Sequence, residues 1–240
     1  MNILVTGDKG YLGSEFIKRY QNDFSITGYD IQDGKDLLDY PTLVQSMEGC
    51  EQVVHLGAIP KPVEGKSFED YLDANCLATL NIIKAALEHK VRRIVYASST
   101  TIYGIERGIP FQRPIKEDQP FLSQYISADA LSCRDVDLAY HMSKVIAEQI
   151  LAYHGLLKKV QTVPLRFGPI NKVFLGTSVS IHNATQAIRL ALESKKVLWY
   201  EPFSIVDEVE HIDISKAKDL LGYAPEKPEY TGEQIRSLLN

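Results

Sequence analysis

The sequence predicts an α/β protein: a mostly parallel sheet, doubly wound by helices on both faces, with a small lobe at the carboxyl end. Three observations lead there. Short β-rich runs alternate with helix-period segments through most of the 240 residues. A glycine-rich turn joins the first such run to the first helix. The alternation weakens after Phe167, which divides the chain into a main unit, residues 1–166, and a smaller substrate-side unit, residues 167–240, of the same structural domain. Strands that alternate with helices select a parallel sheet, because each crossover helix must lie on one of its faces.

Asn2–Thr6 reads as a buried strand and Tyr11–Tyr20 as the helix after it. Phe24–Tyr29 reads as a second strand, Tyr40–Met47 as a short helix, and Glu51–Leu56 (EQVVHL) as a buried strand. Asn75–His89 places Leu77, Leu80, Ile83 and Leu87 at helical spacing, and Arg93–Ala97 returns to strand. Ala139–Tyr153 is helical and Gln161–Leu165 a strand. In the tail, Ala184–Glu193 reads as a helix and Val197–Tyr200 as a strand. Ser215–Leu221 reads as a short helix stopped by Gly222 and Pro225. Right-handed crossovers gather the carboxyl ends of the strands along one edge, where sheets of this kind bind ligands.

Composition narrows the partners. A net charge of −5 gives no basic surface for nucleic acid or an anionic membrane. No long apolar segment and no basic leader is visible, so export and membrane insertion are not expected. Cys50, Cys76 and Cys133 lack metal-ligand spacing and read as reduced thiols of a cytoplasmic protein. The six histidines form no HxxxH or HExxH pair, so no catalytic metal is expected. His55 ends a buried strand and reads as structural, and His141 falls on a different helix face from Tyr140.

Thr6-Gly7-Asp8-Lys9-Gly10-Tyr11-Leu12-Gly13 lies between a strand and a helix. Gly7 suits the tight turn out of the strand, Gly10 leaves room for a pyrophosphate against the backbone, and Gly13 lets the helix pack closely. Free N–H groups at the helix start, with its dipole, attract phosphate. Asp30 closes the second strand where an acid hydrogen-bonds ribose hydroxyls and repels a 2′-phosphate, which selects NAD over NADP. These features make the domain Rossmann-type and the expected cofactor NAD.

Tyr140-His141-Met142-Ser143-Lys144 sets a phenol and an ammonium on one helix face. The ammonium favours the phenolate and so prepares Tyr140 to exchange a proton. Upstream, YASSTTIYG (96–104) leaves a strand end rich in hydroxyls, one of which can hydrogen-bond a substrate oxygen.

The set TGDKGYLG, Asp30, Asp36-Leu37, VVHLGA (53–58), Asn75, YASSTTIYG and YHMSK resembles the extended short-chain dehydrogenase/reductase family, the NAD-dependent sugar epimerases and dehydratases. DISKAKDLLGYAP (213–225) is a weaker echo of that family's C-terminal helix and turn. The resemblance implies roles residue by residue. Tyr11 and Leu12 sit against the pyrophosphate, Asp36 meets the adenine amine and Leu37 lines its pocket. Leu56, Gly57 and Ala58 run beneath the cofactor, and Asn75 supports the site. Ser99 is the catalytic hydroxyl, Tyr140 the acid/base and Lys144 the ribose ligand. The substrate is a sugar or sugar nucleotide. The helices 75–89 and 139–153 match those that pair in family homodimers, or else pack only on the sheet.

Three departures bear on the substrate. Family dehydratases carry Asp-Glu where this chain has Thr100-Thr101, which disfavours dehydration. The family's LR-x-x-N is here Leu165-Arg166-Phe167-Gly168-Pro169, without the Asn, and the C-terminal lobe is small. Both features resemble the family's compact uronate dehydrogenases. Arg166 then either grips a substrate carboxylate or braces the strand end; Ser99 and Thr100 are the other substrate-side candidates. Finally, the segment between Tyr103-Gly104 and Tyr140 is longer than the family's usual one, and its unfamiliar part, Phe121–Asp137, is either a substrate cover or a neutral surface insertion. Three functions stand: a sugar or nucleotide-sugar epimerase, a small sugar or sugar-acid dehydrogenase, and a catalytically silent NAD-binding regulator.

Overall fold

The computed structural model describes residues 1–104, 113–131, 133–172, 177–207 and 211–227. Six parallel strands form one sheet in the order β2-β1-β3-β4-β5-β6. They are β1 (Asn2–Thr6), β2 (Ser25–Tyr29), β3 (Gln52–His55), β4 (Arg93–Ser99), β5 (Gln161–Phe167) and β6 (Phe203–Ile205). Strand alternation divides the core between two faces. Ile3 and Val5 of β1 point into one cluster, with Ala184, Ala187 and Ile188 of helix α6 (Ile181–Glu193). Leu4 points into the other, with Ile82 and Ile83 of α4 (Ala78–Glu88) and Ala147 and Leu151 of α5 (Asp135–Leu156). Helices on both faces make the sheet doubly wound, as the βαβα rhythm predicts.

The strand order reverses between β1 and β3. The chain leaves β1 through α1 (Tyr11–Tyr20) to β2 on one side, then crosses through α2 (Tyr40–Ser46) to β3 on the other. A crevice opens at such a switch point beyond the carboxyl ends of the strands.

Two parts of the sequence reading need correction. The strand expected at Val197–Tyr200 is displaced to Phe203–Ile205; Tyr200 makes only an isolated bridge with Thr162. The apolar run carries strand-forming side chains, but Leu198 N–H donates to the Gln161 side chain instead of to a ladder. The helix expected to begin at Asn75 starts earlier. Ser67 and Asp70 form a reciprocal capping box that opens α3 (Phe68–Tyr71), which runs through one π turn (Leu72–Leu77) into α4. In the tail, α6 covers one face of the sheet and β6 pairs in parallel with β5. α7 (Ser215–Leu221) ends at Gly222 in the left-handed conformation, as expected.

Candidate active site

The loop after β1 is shaped by backbone contact. Gly7 has φ +68°, and a Cβ there would lie 2.8 Å from the amide nitrogen of Gly57 in the loop after β3. A Cβ on Gly13 would lie 2.2 Å from the carbonyl oxygen of Gly7, so α1 can start against the loop only without that side chain. The first helical bond, from Ser14 N–H to the Gly10 carbonyl at 2.9 Å, leaves the N–H groups of Tyr11, Leu12 and Gly13 outside the helical ladder. Thr6 Oγ1 accepts from the N–H groups of Leu56 and Gly57 at 3.2 and 3.1 Å, which locks the two strand ends together. Behind it, His55 is buried between Thr6 and Thr79, at 2.8 and 3.1 Å. Desolvation, and secondarily the Lys144 charge, push its pKa down to about 3, so the ring is neutral and structural.

These loops form the floor of one cavity of about 1490 Å³, larger than a single drug-sized ligand requires. Gly7, Gly10, Tyr11, Leu12 and Gly13 line it at one end, with Asp30, Asp36 and Leu37 beside them. Leu56, Gly57 and Ala58 follow along the floor. Asp30 accepts from the N–H groups of Lys9 at 3.1 Å and Gln32 at 2.9 Å, which fixes its carboxylate at the end of β2. The Leu37 side chain packs where a Cβ on Gly57 would stand. A backbone cradle that any Cβ would fill, exposed N–H groups at a helix start and a carboxylate at the second strand suit a dinucleotide whose ribose is not phosphorylated.

At the far end the cavity reaches β4 and α5. Ser99 ends β4, and its Oγ accepts from Thr101 N–H at 3.2 Å, capping the 3₁₀ turn Thr100–Tyr103. Ser99, Tyr140 and Lys144 all line the cavity. Tyr140 stands edge-on to the Tyr71 ring, with centroids 6.2 Å apart. Lys144 Nζ donates to the Ala97 carbonyl at 2.9 Å and to the Tyr96 hydroxyl at 3.3 Å, and lies 4.9 Å from the Tyr96 ring centre. Burial pushes its pKa down to about 8, against the opposing pull of Cys76 and Glu148.

Three expected site residues stand off the cavity wall. Asn75, only 1% exposed, accepts from Ile59 N–H at 2.8 Å and donates to the Ile59 carbonyl at 3.2 Å and to Ser143 Oγ at 2.8 Å. It therefore braces the loop after β3 against α5, and the π turn that carries it is a wide turn of the sort found near functional sites. Thr100 turns into the core, while the next residue, Thr101, faces the cavity. Thr101 Oγ1 is shielded from water and has no hydrogen-bond partner among the described residues, which suits a ligand group better than Thr100 does. Arg166 is 1% exposed and bound to Glu148, Tyr103 and Glu117, so it braces the strand end and the carboxylate-gripping alternative lacks its geometry.

Other wall residues had no individual role in the sequence reading. Ile59, Pro60, Lys61 and Pro62 form one rim, Arg134 and Asp137 another, and Pro169, Ile170 and Lys172 a third. His141, expected on a different face, also reaches the cavity. Arg134 pairs with Asp137 on its own helix start and with Glu64 across the opening. The long segment before α5 is thus anchored at the rim. Its other end is held by Tyr125, whose hydroxyl donates to the Tyr103 carbonyl at 2.7 Å. Residues 105–112 and 132 lie outside the described residues.

The sheet, the glycine cradle and the Tyr-Lys wall together define a Rossmann-type dinucleotide-binding protein. The family model of the NAD dependent epimerase/dehydratase family matches residues 3–199, and the chain belongs to that family. Its cofactor is NAD. Among curated relatives, the chain is 27% identical over 195 residues to a uronate dehydrogenase of Pseudomonas syringae pv. tomato, covering 79% of this chain and 64% of that one. It is 26% identical over 176 residues to an L-arabinose 1-dehydrogenase (NAD(P)(+)) of Haloferax volcanii, covering 69% and 66%. Among solved structures, a mutated uronate dehydrogenase superposes with TM-score 0.77 at 23% identity, over 99% of this chain and 84% of that one. The UDP-glucuronic acid 4-epimerase of Bacillus cereus in complex with NAD superposes with TM-score 0.73 at 20% identity, over the whole of both chains. At these identities the solved structures speak for the fold alone. Among the described residues no helix is long and apolar enough to cross a membrane.

Proposed function

We propose that the protein is an NAD-dependent oxidoreductase acting on a carbinol carbon of a sugar or sugar nucleotide. The observation that carries this reading is the meeting of Ser99, Tyr140 and Lys144 on the wall of the cavity that the glycine cradle floors. NAD held along the glycine cradle and the Asp30 carboxylate would supply the hydride acceptor for the carbinol carbon. The protein's share is positional and electrostatic. Ser99 Oγ hydrogen-bonds the substrate oxygen, Tyr140 as phenolate takes the hydroxyl proton, and Lys144 holds the ribose and stabilises the phenolate. Asp30 binds the adenosine ribose, Asp36 and Leu37 the adenine end, and Tyr11 and Leu12 the pyrophosphate. Asn75 keeps the floor loop and α5 in register.

Two reaction outcomes fit this set. An epimerase returns the hydride to the other face of a rotated keto intermediate, whereas a dehydrogenase releases NADH. The second gains support from Pro169, which stands where the family's Asn touches a nucleotide-sugar diphosphate, and from dehydrogenases among the curated relatives. With Arg166 engaged internally, Lys61 and Lys172 on the rims are the candidates for an acidic substrate group. The segment 121–137 serves as part of the substrate cover, because its end supplies Arg134 and Asp137 to the rim. Steady NADH formation on a panel of free sugars and uronic acids would establish the dehydrogenase. Interconversion of UDP-sugars without net NADH would establish the epimerase, and neither activity would leave the silent NAD-binding regulator.

A further inference from the structure

Glu148 has no exposed surface, and the chemistry described above does not use it. It lies one helical turn beyond Lys144 on α5, so the two side chains leave the same face. Its carboxylate accepts from Ser98 Oγ, from Arg166 Nε at 3.0 and 3.2 Å, from Arg166 Nη2 at 2.7 Å and from the Tyr200 hydroxyl at 3.3 Å. Arg166 stands opposite Ser98 in the β4–β5 register and extends the network. Its Nη1 donates to the Tyr103 hydroxyl and, at 2.9 Å, to the Glu117 carbonyl. Ser98 and Tyr103 bracket the turn that carries Ser99 and Thr101. One buried ion pair therefore grips both ends of that turn and ties it to the helix that presents Tyr140 and Lys144.

We propose that Glu148 is a positioning residue for the reaction, fixing the Ser99 turn against α5 through Ser98, Arg166 and Tyr103. This rests on the reading of Ser99, Tyr140 and Lys144 as the reacting set. A buried ion pair is a poor source of stability, since apolar replacements of both partners often cost little. What a forked guanidinium–carboxylate pair supplies is a single arrangement of the elements it joins. The electrostatic part follows from what faces Lys144. His55 of β3 is neutral, and the Tyr96 phenol of β4 is held neutral by burial. Burial pushes the Cys76 thiol of the π turn up to about 11. Cys76 first, and then Glu148, oppose the desolvation of Lys144. The Arg166 guanidinium is paired with that Glu148 carboxylate.

The test separates this from mere packing. Three variants are made: E148Q, E148D, and the paired E148Q/R166M, which leaves no unpaired buried charge if E148Q alone unfolds. The Lys144 amine is titrated by NMR of ε-carbon-labelled lysine, with K144R assigning its signal. The midpoint falls by about half a pH unit or more in E148Q, where the Arg166 cation is left uncompensated, and returns towards the native value in E148D and in the pair, which removes both charges. NAD affinity stays within roughly threefold, since the cradle is remote from the change, while kcat falls about tenfold or more in E148Q and in the pair. An unchanged Lys144 midpoint in folded E148Q overturns the proposal, as does unchanged kcat in folded E148Q or in the paired variant. If the native protein turns over no sugar, the oxidoreductase reading fails on that result, and the midpoint alone still decides the role of Glu148.

Discussion

At Lys144 an ammonium is held where water is scarce, and its chemistry follows from the balance of burial against its partners. With its pKa lowered to about 8 from the ordinary 10.5, the folded protein releases this proton before the unfolded chain does. Stability linked to Lys144 therefore rises with pH between those two values, and the penalty is present in full below about 8. Under the proposed role of Lys144 as ribose donor, cofactor binding runs the other way. NAD affinity measured by calorimetry should weaken as pH rises through about 8, and K144M should be insensitive to pH over that range. His55 gives a limb of the same sign at acid pH. Its folded pKa of about 3 lies below the usual 6.5, so the unfolded chain takes up the proton first as pH falls. Stability linked to His55 is intact above 6.5 and is lost progressively towards 3. Urea unfolding of H55N, compared with the native protein across that window, should show a shallower acid slope.

At the scale of elements, the glycine loop and the C-terminal end of α6 make the sharpest demands. Gly13→Ala places a methyl group 2.2 Å from the Gly7 carbonyl, so α1 must shift away from the loop. The variant should fold with reduced thermal stability and lose NAD affinity by about tenfold or more, read by calorimetry. Arg93, fully buried at the start of β4, donates to the Gln161 side chain and to the carbonyls of Ala191, Ser194 and Lys196. It caps the end of α6 and ties it to the sheet. Arg93→Ala strands several buried acceptors and should cost about 3 kcal/mol in denaturant unfolding. Local pattern made much of this architecture legible: the strands β1 to β5 and the helices α1, α2, α5 and α7 follow from period and turn residues near each element. The rest depended on distant partners. Val197–Tyr200 has the composition of a strand, yet the ladder forms at Phe203–Ile205, because pairing with β5 is decided in three dimensions. The capping box at Ser67 and Asp70 was local and readable, and it marks the true start of the helix better than the apolar spacing after Asn75.

For the molecule as a whole, the site is assembled from the ends of strands on both sides of the switch point. The motif residues that line the cavity each keep their own short spacing in the sequence: the glycines, Asp30, Ser99, and Tyr140 with Lys144. Arg166 and Thr100 were legible as residue types but not as roles. Arg166 answers to Glu148, which lies on another element, and a single 3₁₀ turn decides that Thr101, not Thr100, faces the cavity. The rims at 59–62, 134–137 and 169–172 come from three separate connections, so no sequence window contains the substrate end of the cavity. The central claim is that this cavity joins NAD to a Tyr-Lys oxidation. The most direct measurement is turnover of NAD with the sugar and uronic acid panel and the UDP-sugars by the native protein and by Tyr140→Phe, with NAD affinity determined on both. Equal NAD affinity and a loss of turnover of about 100-fold or more are expected in the variant. Equal turnover by the two proteins would contradict it.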